Sequence, residues 1–315
     1  MSKSSRRQFI SRAGSLLALA VTQPWQTTAQ SPSHAKTRLI LLGTGGGPRP
    51  RKNSFASSQV IIVNNVAYVV NCGNGVAIQL ARAGVPLPTL RHVFVTHHHS
   101  DHNADYGNLL LLAWTSGLKT RVDTWGPPPL ARMTRLFFEL NAYDINTRIA
   151  DEGKAPLAPL VHVHELSQGG SIMQDENVTV RCVLVDHPPV KPAFAYRFDS
   201  RDRSIVISGD TKRSDALVRL ALGADVLVHE ALYVPAVDRL AARVPNAATL
   251  KKSILSHHTS VEDAGRVAEA AGVKTLVLSH FVPPDDPDIT DQMWADGARS
   301  TYKGRIVVGK DLMEI

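Results

Sequence analysis

The chain has 315 residues, 43% of them hydrophobic and 20% charged, so it can bury a sizeable core and lacks the composition of a disordered chain. The formal charge of +7 is concentrated at one end: Lys3, Arg6, Arg7 and Arg12 lie in the first 29 residues, which hold no acidic residue, and without them 31 basic side chains face 28 acidic ones, a net +3. No Lys/Arg run is interleaved with aromatics, so the balance gives little support to a polyanion-binding surface.

In chain order, "SRRQFISRAGSLLALAVTQPWQTTAQ" has a paired arginine, a short apolar stretch from Gly14 to Val21 and small residues at Thr27 to Ala29. That is the layout of a twin-arginine secretory signal, too short for a membrane span. The expectation is a leader over 1–29, a mature domain over 30–315, passage through the twin-arginine export machinery, a periplasmic location and no stable membrane insertion. Residues 37–43 read as a buried strand ending in the glycine loop "GTGGG", and 59–70 as two strands around Asn64-Asn65, followed by the tight turn "NCGNG". A helix is expected over 75–83, a strand over 91–96 and a helix over 108–117 with a glycine stop. The stretch 125–165, with the prolines of "GPPP" and "APLAP", reads as an irregular lid or pocket wall. Strands are expected at 178–185, 194–198 and 204–208. After them come a helix at 214–222, a strand at 225–229, a helix at 261–271 and a strand at 274–279. Strand-rich halves that each close with helices predict an α/β fold of four layers, an αββα sandwich. Cys72 and Cys182 lie in or beside apolar runs and are expected as two buried thiols, since two cysteines make no disulfide framework.

"VFVTHHHSDHNADYG" sets four histidines and an aspartate in six residues, directly after an apolar strand. His97 and His99 are two apart, so on extended backbone they point the same way and can share a metal ion. Asp101 and His102 follow at the entrance of the next helix, placed for a second ion. His187, Asp210 and His280 each follow an apolar run, so all can line one rim where strand ends converge.

"HHHSDH" contains an H-x-H-x-D-H signature; with His187, "SGDT", "VHEALY", "HTSVEDAG" and "LSHF" the chain resembles the ribonuclease Z and arylsulfatase-like branch of the metallo-β-lactamase superfamily, from about Thr37 to His280. The resemblance implies the metallo-β-lactamase αββα sandwich and two Zn2+ ions, other divalent metals being possible. His97, His99 and His187 would hold one ion, Asp101, His102 and His280 the other, and Asp210 would bridge them. His98 occupies a variable position and is expected to point away. Where the family has an aspartate that supports the ligand loop, this chain has Asn71, which keeps hydrogen bonds and loses the charge. The resemblance also makes His258 a general acid or oxyanion donor, oriented by Glu230, with Asp101 orienting the nucleophile. His257 is expected as a rim residue and His229 as a buried strand-end histidine.

True ribonuclease Z carries a tRNA-gripping arm between the counterparts of His187 and Asp210; here only 22 residues separate the two. The expected activity is therefore arylsulfatase-like cleavage of small, anionic sulfate or phosphate esters, with no nucleic acid partner and with homodimerisation left open. The alternatives are a lactonase or β-lactamase-type acyl hydrolase, and a protein that binds metal or an anion without turnover. An Arg6→Lys, Arg7→Lys double variant should lose its periplasmic yield in cell fractionation. Equal yield from variant and wild type would exclude the twin-arginine route.

Overall fold

A computed structural model describes residues 36–244 and 247–315; the expected leader over 1–29 lies outside the described residues. None of the described helices is long and apolar enough to cross a membrane.

The strands are β1 (Arg38–Gly43), β2 (Ser58–Val63), β3 (Val66–Val70), β4 (Leu90–Phe94), β5 (Val122–Gly126), β6 (Val161–Glu165), β7 (Gly170–Gln174), β8 (Val178–Val185), β9 (Ala193–Ser200), β10 (Ser204–Ile207), β11 (Val226–Leu232), β12 (Thr275–Val282) and β13 (Arg305–Val308). The first six form one sheet in chain order, and the other seven form a second sheet in the order β13-β12-β11-β10-β9-β8-β7. Strands in the middle of such a stack are buried on both faces and read as unbroken apolar runs. β1 shows this directly: Leu39 and Leu41 enter the core between the sheets, whereas Ile40 and Leu42 join the core beneath the outer helices. Phe94, Tyr196 and Phe198 fill the space between the sheets as an edge-packed aromatic cluster. Helices Val76–Arg82 and Tyr106–Thr115 cover the first sheet, and Asp215–Ala221, Val261–Ala271 and Asp291–Arg299 cover the second. The result is the expected αββα layering. Cys72 and Cys182 are buried free thiols.

Two expectations need correction. Residues 125–165 are not an irregular lid: helices Leu130–Leu140 and Ala142–Glu152 run through them, and β6 closes the edge of the first sheet. The prolines stand between these elements, at helix starts and in loops where a missing amide costs nothing. The strand carrying His280 does not stop before it. β12 runs on to Val282, and its pairing with β11 passes from Glu230↔Ser279 to Ala231↔Phe281, so His280 is an extra residue in the ladder. Its φ of 45° is the left-handed conformation, rare for a non-glycine residue. Such a bulge re-aims a side chain while the strand continues.

β3, β4 and β5 are parallel, as are β10 to β13. The sheets are joined where the chain leaves β4: Phe194 N donates to Thr96 O at 2.9 Å and the Tyr196 hydroxyl to Val95 O at 2.9 Å. The segments following β3, β4, β8 and β10 therefore meet the bulge of β12 at one rim.

Candidate metal centre

The rim gathers two sets of ligand-type atoms. In the first, His97 Nε2 lies 3.1 Å from His99 Nδ1, His187 Nε2 lies 3.1 Å from the same atom, and Asp210 Oδ2 stands 3.8 and 3.9 Å from His97 and His187. In the second, His280 Nε2 is 3.2 Å from both His102 Nε2 and Asp101 Oδ2, while Asp210 presents Oδ1 to His102 and Oδ2 to His280, each at 3.3 Å. Within each set all ligand atoms fall within 4.8 Å of one another. Four ligands held at about 2.0–2.1 Å around a tetrahedral ion stand about 3.3–3.4 Å apart. Both sets have the dimensions of a metal site.

Proton positions point the same way. Thr96 Oγ1 donates to Asn71 Oδ1 at 3.0 Å and lies 3.1 Å from His97 Nδ1, so that ring donates its Nδ1–H to Thr96 and turns a lone pair on Nε2 inward. His187 Nδ1–H donates to the His257 carbonyl at 3.0 Å, again leaving Nε2 as a lone pair. Burial, ahead of any neighbouring charge, pushes His97 well below the ordinary histidine range and His187 down to about 4. Neutral imidazoles converging at 3.1 Å are a poor arrangement unless a cation sits between them. Burial by itself would raise the Asp101 and Asp210 carboxyls, yet the imidazoles around them, His102 foremost, hold both well below the usual range. The donor set fits divalent cations.

The flanking sequence explains the placement. Asn71, at φ 61°, accepts from both the amide and the hydroxyl of Thr96 at 3.0 Å, so the amide does hold the ligand loop without the charge. Gly47 of "GTGGG" donates its amide to Asp101 Oδ2 at 2.7 Å. A Cβ on Gly46 would come within 2.8 Å of the His280 ring, so the loop can pack on that ligand only as glycine. His98 turns away, as expected: Nε2–H donates to Pro127 O at 2.7 Å and Nδ1 accepts from Asn103 at 3.0 Å.

Beside the two sets, His258 Nδ1 meets Glu230 Oε2 at 2.6 Å, and Glu230 Oε1 accepts from the Thr211 amide at 2.6 Å. Burial lowers the His258 pKa, but the Glu230 charge and hydrogen bond outweigh it and the net shift is upward. Burial raises the Glu230 carboxyl, with His258 opposing, and the net shift is also upward. Glu230, His258 and His280 also form a ligand-like cluster, but the 2.6 Å contact is a hydrogen bond and His280 turns Nε2 to Asp101 and Asp210. Sequence reasoning missed the His257 carbonyl, the Thr96 hydroxyl and the amides of Gly47 and Thr211. Three of these are backbone groups, which leave no mark on residue type. Only the threonine after β4 was visible.

The description "Beta-lactamase superfamily domain" matches residues 67–281, and the chain belongs to the metallo-β-lactamase superfamily. Among its relatives, a ribonuclease Z of Mycobacterium bovis (strain BCG / Pasteur 1173P2) is 35% identical over 280 residues, covering 88% of this chain and 97% of that protein. A ribonuclease Z of Mycobacterium sp. (strain KMS) is 35% identical over 279 residues, covering 88% and 95%. Similar folds include the metallo-β-lactamase fold protein YhfI of Bacillus subtilis, with a TM-score of 0.66 at 19% identity over 89% of this chain and 98% of that one. The short form of human tRNase Z has a TM-score of 0.63 at 22% identity over 88% and 98%. The chain is thus a metal-dependent hydrolase of the superfamily with ribonuclease Z homologues. These relatives carry the ribonuclease name, not that of a sulfatase.

Asp210→Ala should remove metal from both sets, because each loses a ligand and the carboxylate that offsets the charge of its cation. Elemental analysis of the folded variant checks this; an unchanged metal content would contradict it.

Proposed function

We propose that the protein is an exported two-zinc hydrolase of small phosphate or sulfate esters. His97, His99, His187 and Asp210 hold one ion, and Asp101, His102, Asp210 and His280 the other. When bound, the two ions lower the pKa of water, polarise the ester oxygen and offset charge that develops at the reacting centre.

This chain's own groups do the rest. Asp101 accepts a hydrogen bond from the attacking water, which releases one proton to solvent before it attacks, and directs its lone pair at phosphorus or sulfur. As the new bond to oxygen forms, the bond to the leaving oxygen breaks, and that oxygen needs a proton. His258 lines the cleft with Nδ1 engaged by Glu230, so Nε2 is the nitrogen that can supply one. Glu230 keeps the ring charged and oriented, and is itself held by Thr211.

The observation that carries this reading is the Glu230–His258 contact at 2.6 Å beside both ligand sets. A positioned acid suits an ester whose leaving group departs as an alkoxide or phenoxide. The cleft over the site has a volume of about 530 Å³ and is walled in part by Leu240, Leu250, Ile254 and Val282, which fits a small ester with an apolar portion. Between His187 and Asp210 the chain makes β9 and β10 with a short turn, so that interval holds no inserted arm.

A second reading, cleavage of an RNA phosphodiester, is favoured by the relatives named ribonuclease Z at 35% identity. It uses the same ligands and acid, with a larger substrate across the cleft. Cleavage of precursor tRNA in preference to aryl phosphate diesters and aryl sulfates would select it.

The acid is tested with esters of graded leaving-group pKa. His258→Ala should keep its metal and lose little kcat/KM on esters of acidic phenols. On alkyl or weakly acidic phenol esters it should lose about 10²–10⁴-fold, with Glu230→Gln following the same trend more weakly. A uniform loss across the series, metal intact, would make His258 a substrate-binding group and not the acid.

A further inference from the structure

Beneath the ligand sets, between β2 of one sheet and β10 to β12 of the other, six buried polar atoms have no hydrogen-bond partner among the described protein groups: Gln59 Oε1, His102 Nδ1, Asp210 Oδ1, His229 Nε2, Ser279 Oγ and His280 Nδ1. Asp210 Oδ1 faces His102 Nε2 at 3.3 Å within the second ligand set, and His280 Nδ1 lies beside Gly46 and 3.9 Å from Glu230 Oε2, which leaves four. Their residues are at most 2% exposed. All four residues line one small space of about 10 Å³. That is room for about one water molecule. Buried polar groups without partners cost about 1–3 kcal/mol each, so four around one space call for an occupant that bonds to all of them.

The protonation pattern identifies the occupant. His229 Nδ1 lies 2.8 Å from the Glu230 carbonyl, which only accepts, so Nδ1 carries the proton and Nε2 is an acceptor. Gln59 Oε1 is an acceptor by its chemistry. His102 turns Nε2 toward Asp210 and His280, and with that nitrogen given to the ion of the second set its proton is on Nδ1, a donor. The Ser279 hydroxyl can donate. Two donors and two acceptors on residues that line one water-sized space are the complement of a water molecule, which accepts two hydrogen bonds and donates two.

We propose that a single buried water is held here by Gln59, His102, His229 and Ser279, and that it orients His102 from behind. Histidines that hold a metal nearly always give their other N–H to an acceptor that fixes the ring. His97 uses Thr96 and His187 uses the His257 carbonyl; among the described residues neither His102 nor His280 has such an acceptor, and for His102 the water fills that role. His229, Ser279 and Gln59 are then positioning residues, acting on the second ligand set through the water. This assigns a role to the histidine of "VHEALY", which faces away from the cleft and takes no part in the proposed reaction. The unpartnered atoms are a matter of protein geometry; the proton on His102 Nδ1 and the effect on the metal rest on the two-zinc reading above.

Two measurements test it. In crystals of the zinc-loaded full chain that order internal waters, one isolated density peak should lie within about 2.7–3.2 Å of all four atoms. No peak there, with His102 Nδ1 in direct contact with a protein acceptor, would overturn the proposal. In Zn2+ titrations against a competing chelator, Ser279→Ala and His229→Leu should weaken one of the two zinc constants about 10–100-fold and the other much less. His229→Gln, which keeps an acceptor at the tip of the side chain, should recover most of the loss. Ser279→Ala removes one oxygen only, which guards against a His229 variant that does not fold. Two zinc constants unchanged in folded variants would overturn the positioning role. A folded wild type that binds no zinc would instead refute the two-zinc reading, and the crystal would still decide whether the water is there.

Discussion

One buried carboxylate organises this rim. Asp210 lies within 3.3–3.9 Å of five imidazoles, those of His97, His102, His187, His258 and His280. An ionised carboxylate in a protein interior costs several kcal/mol unless charge and hydrogen bonds surround it. Imidazoles crowded at about 3 Å are costly for the opposite reason, because their lone pairs meet without a cation. Metal ions bound between them would resolve both demands at once, and the fold holds the groups within reach of one another. The resting place of Asp210, just after β10 and opposite the end of β4, requires the two sheets to be packed before either ligand set is complete.

Around this centre the supporting contacts come in large part from backbone and small side chains. The carbonyl of His257 fixes His187, the amide of Gly47 holds Asp101, and the amide of Thr211 holds Glu230. Backbone donors and acceptors are already fixed by the fold, so they orient a ligand without a further loss of side-chain entropy. The glycines after β1 serve the same end. Gly46 can pass close to His280 because it has no Cβ.

Much of this was legible in the sequence because the signals agreed. Apolar runs in β1 and β10 announced strands buried on both faces, and the ligand-type residues after β4, β8 and β10 each followed an apolar run. The paired spacing of His97 and His99 carried the geometry of the first set. Three features were less visible. The bulge at His280 depends on the pairing of β11 with β12, which no local pattern encodes. The helices over 130–152 are hard to see in the sequence because the prolines around them, which stand at element boundaries, look like breaks within the segment. The small space beneath His102 is lined by Gln59, His229 and Ser279, from three separate strands, and only the tertiary structure brings them together. Asn71 shows the converse: the side chain departs from the family pattern, but its oxygen still makes both bonds to Thr96.

The central claim is that one carboxylate serves two metal sites. The most direct test is a calorimetric titration of the folded, metal-stripped wild-type chain with Zn2+, paired with X-ray anomalous scattering at the zinc edge. Two equivalents should bind and two anomalous peaks should appear, with Asp210 contacting both. Saturation at one equivalent, or two peaks of which only one contacts Asp210, would contradict it.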